Sequence, residues 1–187
     1  MINKRKLKNK FKRIKHFFWA TSRLLETPIA KKNKFRVIIN IFIFQIKKNF
    51  SKKPFIFKTC TNTFAYTQKN IDTTGIAGLF YTGLIEASEM LCAWHLVRPN
   101  DIFFDIGANQ GAWGLVLCAK NIYCHEFEPS SETFQSLQKQ ISLNKDFKDY
   151  LLAHNLAISN KNGTIEFTVG RGQNNQIKSE FTEDILK

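Results

Sequence analysis

An α/β fold with a parallel sheet is predicted by three features of the sequence. Ile102, Phe103, Phe104 and Ile106 form a short apolar run after Pro99-Asn100-Asp101, the pattern of a strand buried on both faces. Gly107 and Gly111 close that run, and Ala112, Trp113 and the segment 115–119 then continue without β alternation, enough for about three helical turns. Residues 121–129, N-I-Y-C-H-E-F-E-P, read as a second strand ending in acids. Strand, glycine turn, helix and strand in that order make a βαβ unit, whose two strands run parallel.

The turn itself, F-F-D-I-G-A-N-Q-G at 103–111, is a candidate ligand loop. In open α/β sheets ligands sit at the carboxyl ends of strands, where unpaired N–H groups and glycine allow close approach to the backbone. Two phosphate motifs fail on spacing: Asn109 stands where G-x-G-x-x-G needs its second glycine, and Gly111 is followed by Ala112 where a P-loop needs lysine. What remains is D-x-G-x-x-x-G. Glu128 falls 23 positions after Asp105, close to the roughly 20-residue spacing at which nucleotide-binding α/β units place an acid for ribose hydroxyls. Pro129 then opens a helix with Ser130, Ser131 and Glu132 in its early turns, and Phe134, Leu137 and Ile141 form its core face. Plainer readings stand beside these: a glycine turn that serves only the chain's path, and Glu126 and Glu128 as alternating solvent-facing acids on an edge strand.

D-x-G-x-x-x-G resembles motif I of the class I S-adenosylmethionine (SAM) methyltransferases, and the wider pattern resembles their FkbM-type family. The matching pieces are Y-T-G-L-I-E at 81–86, L-V-R-P-N-D-I-F-F-D-I-G-A-N-Q-G at 96–111, E-F-E-P at 126–129 and S-L-N at 142–144, with A-I-S-N-K-N-G-T-I-E-F at 157–167 as the exit from a third strand. The likeness runs from about residue 27 to the end. It implies a Rossmann-like parallel sheet with SAM as cofactor, here incomplete and preceded by what the residues themselves read as N-terminal helices and a hairpin. It also implies that Asp105, Gly107, Ala108, Asn109 and Gly111 line the SAM loop, that Glu128 holds the ribose, and that Tyr81 and Glu86 pack beside the cofactor. The implied activity is methyl transfer to a hydroxyl, on a sugar, a glycan or a natural-product scaffold. The pattern then breaks off, for the family's fourth strand with its acidic D-V-E-G-like signature appears nowhere here. An incomplete sheet, an unpaired outer edge on the first strand and no turnover are therefore expected of the chain as given. A non-catalytic remnant and a nucleic-acid-binding protein are the rival readings.

Charge divides the chain. Residues 1–58 hold 18 Lys/Arg and one acid, Glu26, a net +17, whereas residues 59–187 hold 10 basic and 14 acidic residues, a net −4. The basicity belongs to the N-terminal part and says nothing of the rest. With the resemblance, the chain is expected to divide into a basic amphipathic arm at 1–26, a helix and hairpin lead-in at 27–75 and the N-terminal part of an FkbM-like methyltransferase domain at 76–187. In the arm Leu7, Phe11, Ile14 and Phe18 share one helical face among lysines and arginines, which suits peripheral contact of residues 4–18 with an anionic membrane, a nucleic-acid backbone, or a solvated tail. The domain's net acidity makes nucleic acid the weaker partner.

A second apolar stretch, Phe35 to Ile46, is too short to span a bilayer. Asn33, Arg36, Asn40 and Lys47 fall within about 60° on its helical wheel, leaving a wide apolar face to dock on the domain or at an interface. No signal-peptide pattern fits, so the chain is expected in the cytoplasm, with the arm at the inner face of the membrane. Phe55–Thr59 and Thr63–Thr67 read as a hairpin across Cys60-Thr61-Asn62, and Ile85–Leu96 as a helix. The segment from Gly163 to Gly170 reads as one more strand, and 171–187 as a polar stretch. Cys60, Cys92, Cys118 and Cys124 form no C-x-x-C pair and read as reduced core thiols; the four histidines share no metal-ligand spacing. His125 and His154 are conceivable general bases but fit structural roles better, and no base is assigned.

Overall fold

The computed structural model describes residues 15, 17–51, 53–67, 74–160, 162–167 and 177–182. Leu7, Phe11 and Ile14 of the arm lie outside them. Three helices lead in: α1 over residues 17–25, α2 Pro28–Lys32 and α3 Lys34–Phe50. Thr27 caps α2 with Pro28 in its first turn, and Asn33 caps α3 by accepting from the Arg36 N–H at 3.2 Å. Helix α3 docks through Val37, Ile41 and Phe44, the last against Phe55, Phe80 and Tyr81. Asn40, from the expected polar arc, turns inward instead and donates to the carbonyls of Phe80 and Tyr81, both at 3.2 Å. The apolar arc is wider than the contact, so much of it remains in solvent.

The expected hairpin forms from β1 Phe55–Lys58 and β2 Phe64–Thr67, with Phe57 opposite Ala65. A helix that periodicity did not announce, α4 Thr74–Thr82, precedes α5 Ala87–Leu96, which begins two residues later than expected.

The central sheet has three parallel strands in the order β3 Ile102–Ile106, β4 Tyr123–Phe127, β5 Leu151–His154. Asp105 stands opposite Glu126, and Ile106 opposite Phe127. The crossovers are α6 Ala112–Leu117, extended by a 3₁₀ turn at Cys118–Lys120, and α7 Ser131–Ser142. Helix α6 is shorter than the three turns expected, since its continuation tightens into the 3₁₀ turn, which Asn121 at φ 59° ends in a left-handed cap.

Both crossover helices cover the sheet face that carries Cys124, Glu126 and Leu151, as right-handed crossovers require. The other face is bare among the described residues. Ile102, Phe104 and Ile106 are 61, 59 and 64% exposed, which corrects the reading of this strand as buried on both faces. There His125 stacks on His154, with Nδ1 3.0 Å from Nε2, beside Phe104 and Phe127. Strand β4 is central, so the edge-strand reading of its acids is also corrected: Glu126 has no exposed surface. Among the described residues β3 hydrogen-bonds only to β4.

Helix α7 also fastens the hairpin. The amide of Gln140 accepts from the Tyr66 N–H at 2.8 Å and donates to the Tyr66 carbonyl at 2.9 Å. One turn on, Asn144 accepts from the Phe64 N–H at 2.6 Å and donates to its carbonyl at 2.8 Å. Two side-chain amides thus imitate a neighbouring strand along the edge of β2. A separate antiparallel pair, β6 Thr164–Phe167 and β7 Ile177–Thr182, places a strand in the stretch read as merely polar. Only Ile177 and Phe181 mark its alternation. Of the four cysteines, all free, Cys118 and Cys124 are buried but Cys60 and Cys92 are exposed, correcting the reading of all as core thiols.

Candidate functional site

The loop that leaves β3 winds through three left-handed residues, Gly107 (φ 85°), Asn109 (φ 53°) and Gly111 (φ 74°). The N–H groups of Gly107 and Ala108 both donate to the Phe127 carbonyl, at 2.9 and 3.0 Å, which ties the loop to the end of β4. A Cβ on Gly107 would meet nothing within 4 Å, so backbone conformation rather than space calls for glycine there. Gly111 differs. Its Cβ would strike the Glu126 carboxylate and Leu137, and a Cβ on Gly114 one turn later would overlap Glu126 as well.

Beneath this loop opens a cavity of about 600 Å³. Asp105, Gly107, Ala108, Asn109, Glu86 and Glu128, six of the residues expected at a cofactor site, all line it. Gly111 and Tyr81 do not. Gly111 is buried between Glu126 and Leu137 and shapes the loop, while the Tyr81 ring packs on Phe44 and its hydroxyl accepts from the Gln45 amide at 3.2 Å. His125 and His154 are also absent from the lining, since they lie on the bare face of the sheet.

Three carboxyl groups face the cavity, each held differently. Glu128 is fixed by two backbone donors, Asn109 N–H to Oε2 at 2.9 Å and Ser130 N–H to Oε1 at 2.8 Å. Burial raises its pKa and these two hydrogen bonds oppose the rise. Glu86 occupies the left-handed region at φ 39°, ψ 55°, costly for a residue with a Cβ. Instead of capping α5 its carboxylate accepts from the Trp113 indole at 3.2 Å, and Trp113 in turn stacks on Phe103. Asp105 is pushed up to about 6, first by burial and then by the negative charges of Glu86 and Glu128. Its Oδ2 is buried without a hydrogen-bond partner. Glu126, outside the lining, is raised well above the ordinary carboxylate range, by burial and then by Asp105, with the Gly114 amide opposing.

Several lining residues had no signal in the glycine motif: Ile76, Trp113, Thr133 and the segment 156–158. Residues 156–158 follow the end of β5, where parallel topology places a third loop beside the first two. Strand order could have pointed to them; residue type could not. Among the described residues no cluster of three His, Cys, Asp or Glu could hold a metal ion.

Fold and site together define a parallel α/β unit with an acid-lined cavity at the carboxyl ends of its strands. No protein-family model matches the chain, and no curated protein matches its sequence. Among solved structures it is similar to the C-terminal domain of precorrin-6Y C5,15-methyltransferase from Rhodobacter capsulatus, at 19% identity and a TM-score of 0.35, over 38% of each chain. It is also similar to P. horikoshii TYW2 in complex with MeSAdo, at 14% identity and a TM-score of 0.45, over 73% of this chain and 53% of that one. Coclaurine N-methyltransferase bound to N-methylheliamine and SAH gives 12% identity and a TM-score of 0.37, over 86% and 46%. The chain thus spans about half, or less, of the length of each of these proteins.

Proposed function

We propose that the cavity binds SAM and that the chain is a SAM-dependent methyltransferase, of the FkbM type that its motifs resemble. One observation carries the reading: Asp105 and Glu128, at the ends of adjacent parallel strands, meet in one cavity across a left-handed glycine loop. The ligand's chemistry fits what is there. Asp105 has an unpartnered carboxylate oxygen and two acidic neighbours, so a cation placed beside it relieves both its desolvation and its repulsion. Each oxygen of Glu128 accepts one backbone bond and keeps a free acceptor position, enough for two ribose hydroxyls. Ile76, Phe127, Leu156 and Ile158 supply an apolar wall suited to a flat heterocycle. When bound, SAM supplies an electrophilic methyl group on a sulfonium. The chain's own groups then bind and orient: Glu128 fixes the ribose, and Asp105 and Glu86 set the charge, so positioning supplies most of the acceleration.

The acceptor in this proposal is a hydroxyl of a sugar, glycan or small natural product. A carboxylate-lined cavity in a segment of net charge −4 repels phosphates, which disfavours nucleic acid. The test is calorimetric titration of SAM into wild type, Asp105→Ala and Glu128→Ala. Each variant is expected to bind at least about tenfold more weakly, since a lost charge-assisted hydrogen bond is worth about 1.5–3 kcal/mol. Unchanged affinity in both would remove the assignment.

A further inference from the structure

The outward side of α3 is apolar without being covered. On a wheel of about 100° per residue, the arc facing away from Val37, Ile41 and Phe44 holds eight positions, and only Asn49 among them is polar. Phe35, Phe42 and Phe50 on that arc are 76, 67 and 84% exposed, and Ile39 and Ile46 are exposed between them. Basic residues border it in sequence: Lys34 on one side and Arg36 on the other, with Lys47 beside Arg36 but its ammonium 5.0 Å over the Phe55 ring. In α1 the rings of Phe18 and Trp19 are exposed too.

We infer that α3 lies flat on an anionic lipid surface, with Phe35, Phe42 and Phe50 in the interface and Lys34 and Arg36 at the headgroups. An apolar arc edged by cations is the pattern of an interfacial helix, and aromatic rings settle at the headgroup boundary. The charge selects this occupant. The described residues between 15 and 58 hold ten Lys/Arg and one acid, Glu26, so a second copy brought against this face would meet like charge, whereas anionic lipid attracts it. Helix α3 lies on the surface rather than crossing it: among the described residues no single helix is long and apolar enough to span a membrane. The surface differs from residues 4–18, since here both the apolar contact and its bordering charges come from a helix docked on the α/β unit. The inference does not rest on the SAM reading.

Co-sedimentation of the full chain with vesicles of phosphatidylcholine, with and without phosphatidylglycerol, tests it. The wild type is expected to bind the anionic vesicles preferentially, and Phe35→Ser/Phe42→Ser/Ile46→Ser to bind them about tenfold or more weakly, with basic residues 4–15 intact and circular dichroism unchanged. A second variant, Phe42→Trp, is expected to lose fluorescence to acyl-brominated lipid beyond the quenching that wild-type tryptophans show. Equal vesicle binding by wild type and the triple variant would overturn the inference, as would quenching of Phe42→Trp no greater than wild type. A dimer in sedimentation velocity that the triple variant dissociates would assign the face to a second copy instead.

Discussion

Replacing Asp105 by asparagine should stabilise the ligand-free protein at neutral pH while weakening its hold on a cationic ligand. The side chain keeps its shape but loses the charge that burial, Glu86 and Glu128 all oppose. Its pKa rises from 3.8 to about 6, and at about 1.4 kcal/mol per pKa unit this amounts to about 3 kcal/mol. The direction follows from linkage. A carboxyl whose folded pKa lies above its unfolded value binds protons more tightly in the native state, so its ionisation costs stability as pH rises from 3.8 to about 6 and the full cost remains above that. Asp105→Asn should therefore exceed wild type by up to about 3 kcal/mol at pH 7, with the gain shrinking to little below about pH 4. Urea unfolding of both proteins at the two pH values measures the difference. Asparagine equal to or less stable than aspartate at neutral pH would refute the reasoning, as would a gain that does not fade in acid. The same variant should bind SAM more weakly, which separates a site kept for its ligand from one kept for stability.

SAM affinity in wild type should rise between about pH 5 and pH 7 and then level off, because a bound cation favours the ionised form of Asp105; calorimetry at those pH values checks the slope. Gly114→Ala, whose added methyl overlaps the Glu126 carboxylate, should cost about 1–3 kcal/mol. Glu126→Ala in the same chain should recover part of that loss, and a purely additive double-mutant cycle would show that the two do not meet. Asn144→Leu leaves the Phe64 N–H and carbonyl without their partner and should lower unfolding free energy by about 2–4 kcal/mol. A change below about 1 kcal/mol would mean that water replaces the amide there.

The βαβ core, the loop at 103–111, the hairpin and the placing of Asp105 and Glu128 at the ends of neighbouring strands were legible in the sequence, because each depends on local periodicity and on glycine and acid spacing. Backbone conformation explains why the glycine signal was reliable: Gly107 and Gly111 stand at positive φ, a requirement that neighbours in the chain already impose. The roles of Glu126, Tyr81 and Asn40 were not legible, since each is decided by which element lies opposite. Glu126 is buried because β4 is central and α6 passes over it at Gly114, and Tyr81 leaves the cavity because α3 offers Phe44 and Gln45. Likewise the strand 102–106 looks buried on both faces as a string of apolar residues, yet both crossovers lie on one side of the sheet and leave Phe104 bare. Composition and spacing thus determined a parallel α/β unit with an acid and glycine loop at its strand ends. Only the tertiary structure decided which acids share the cavity and which face of α3 stays outside, because burial depends on contacts between residues far apart in the chain.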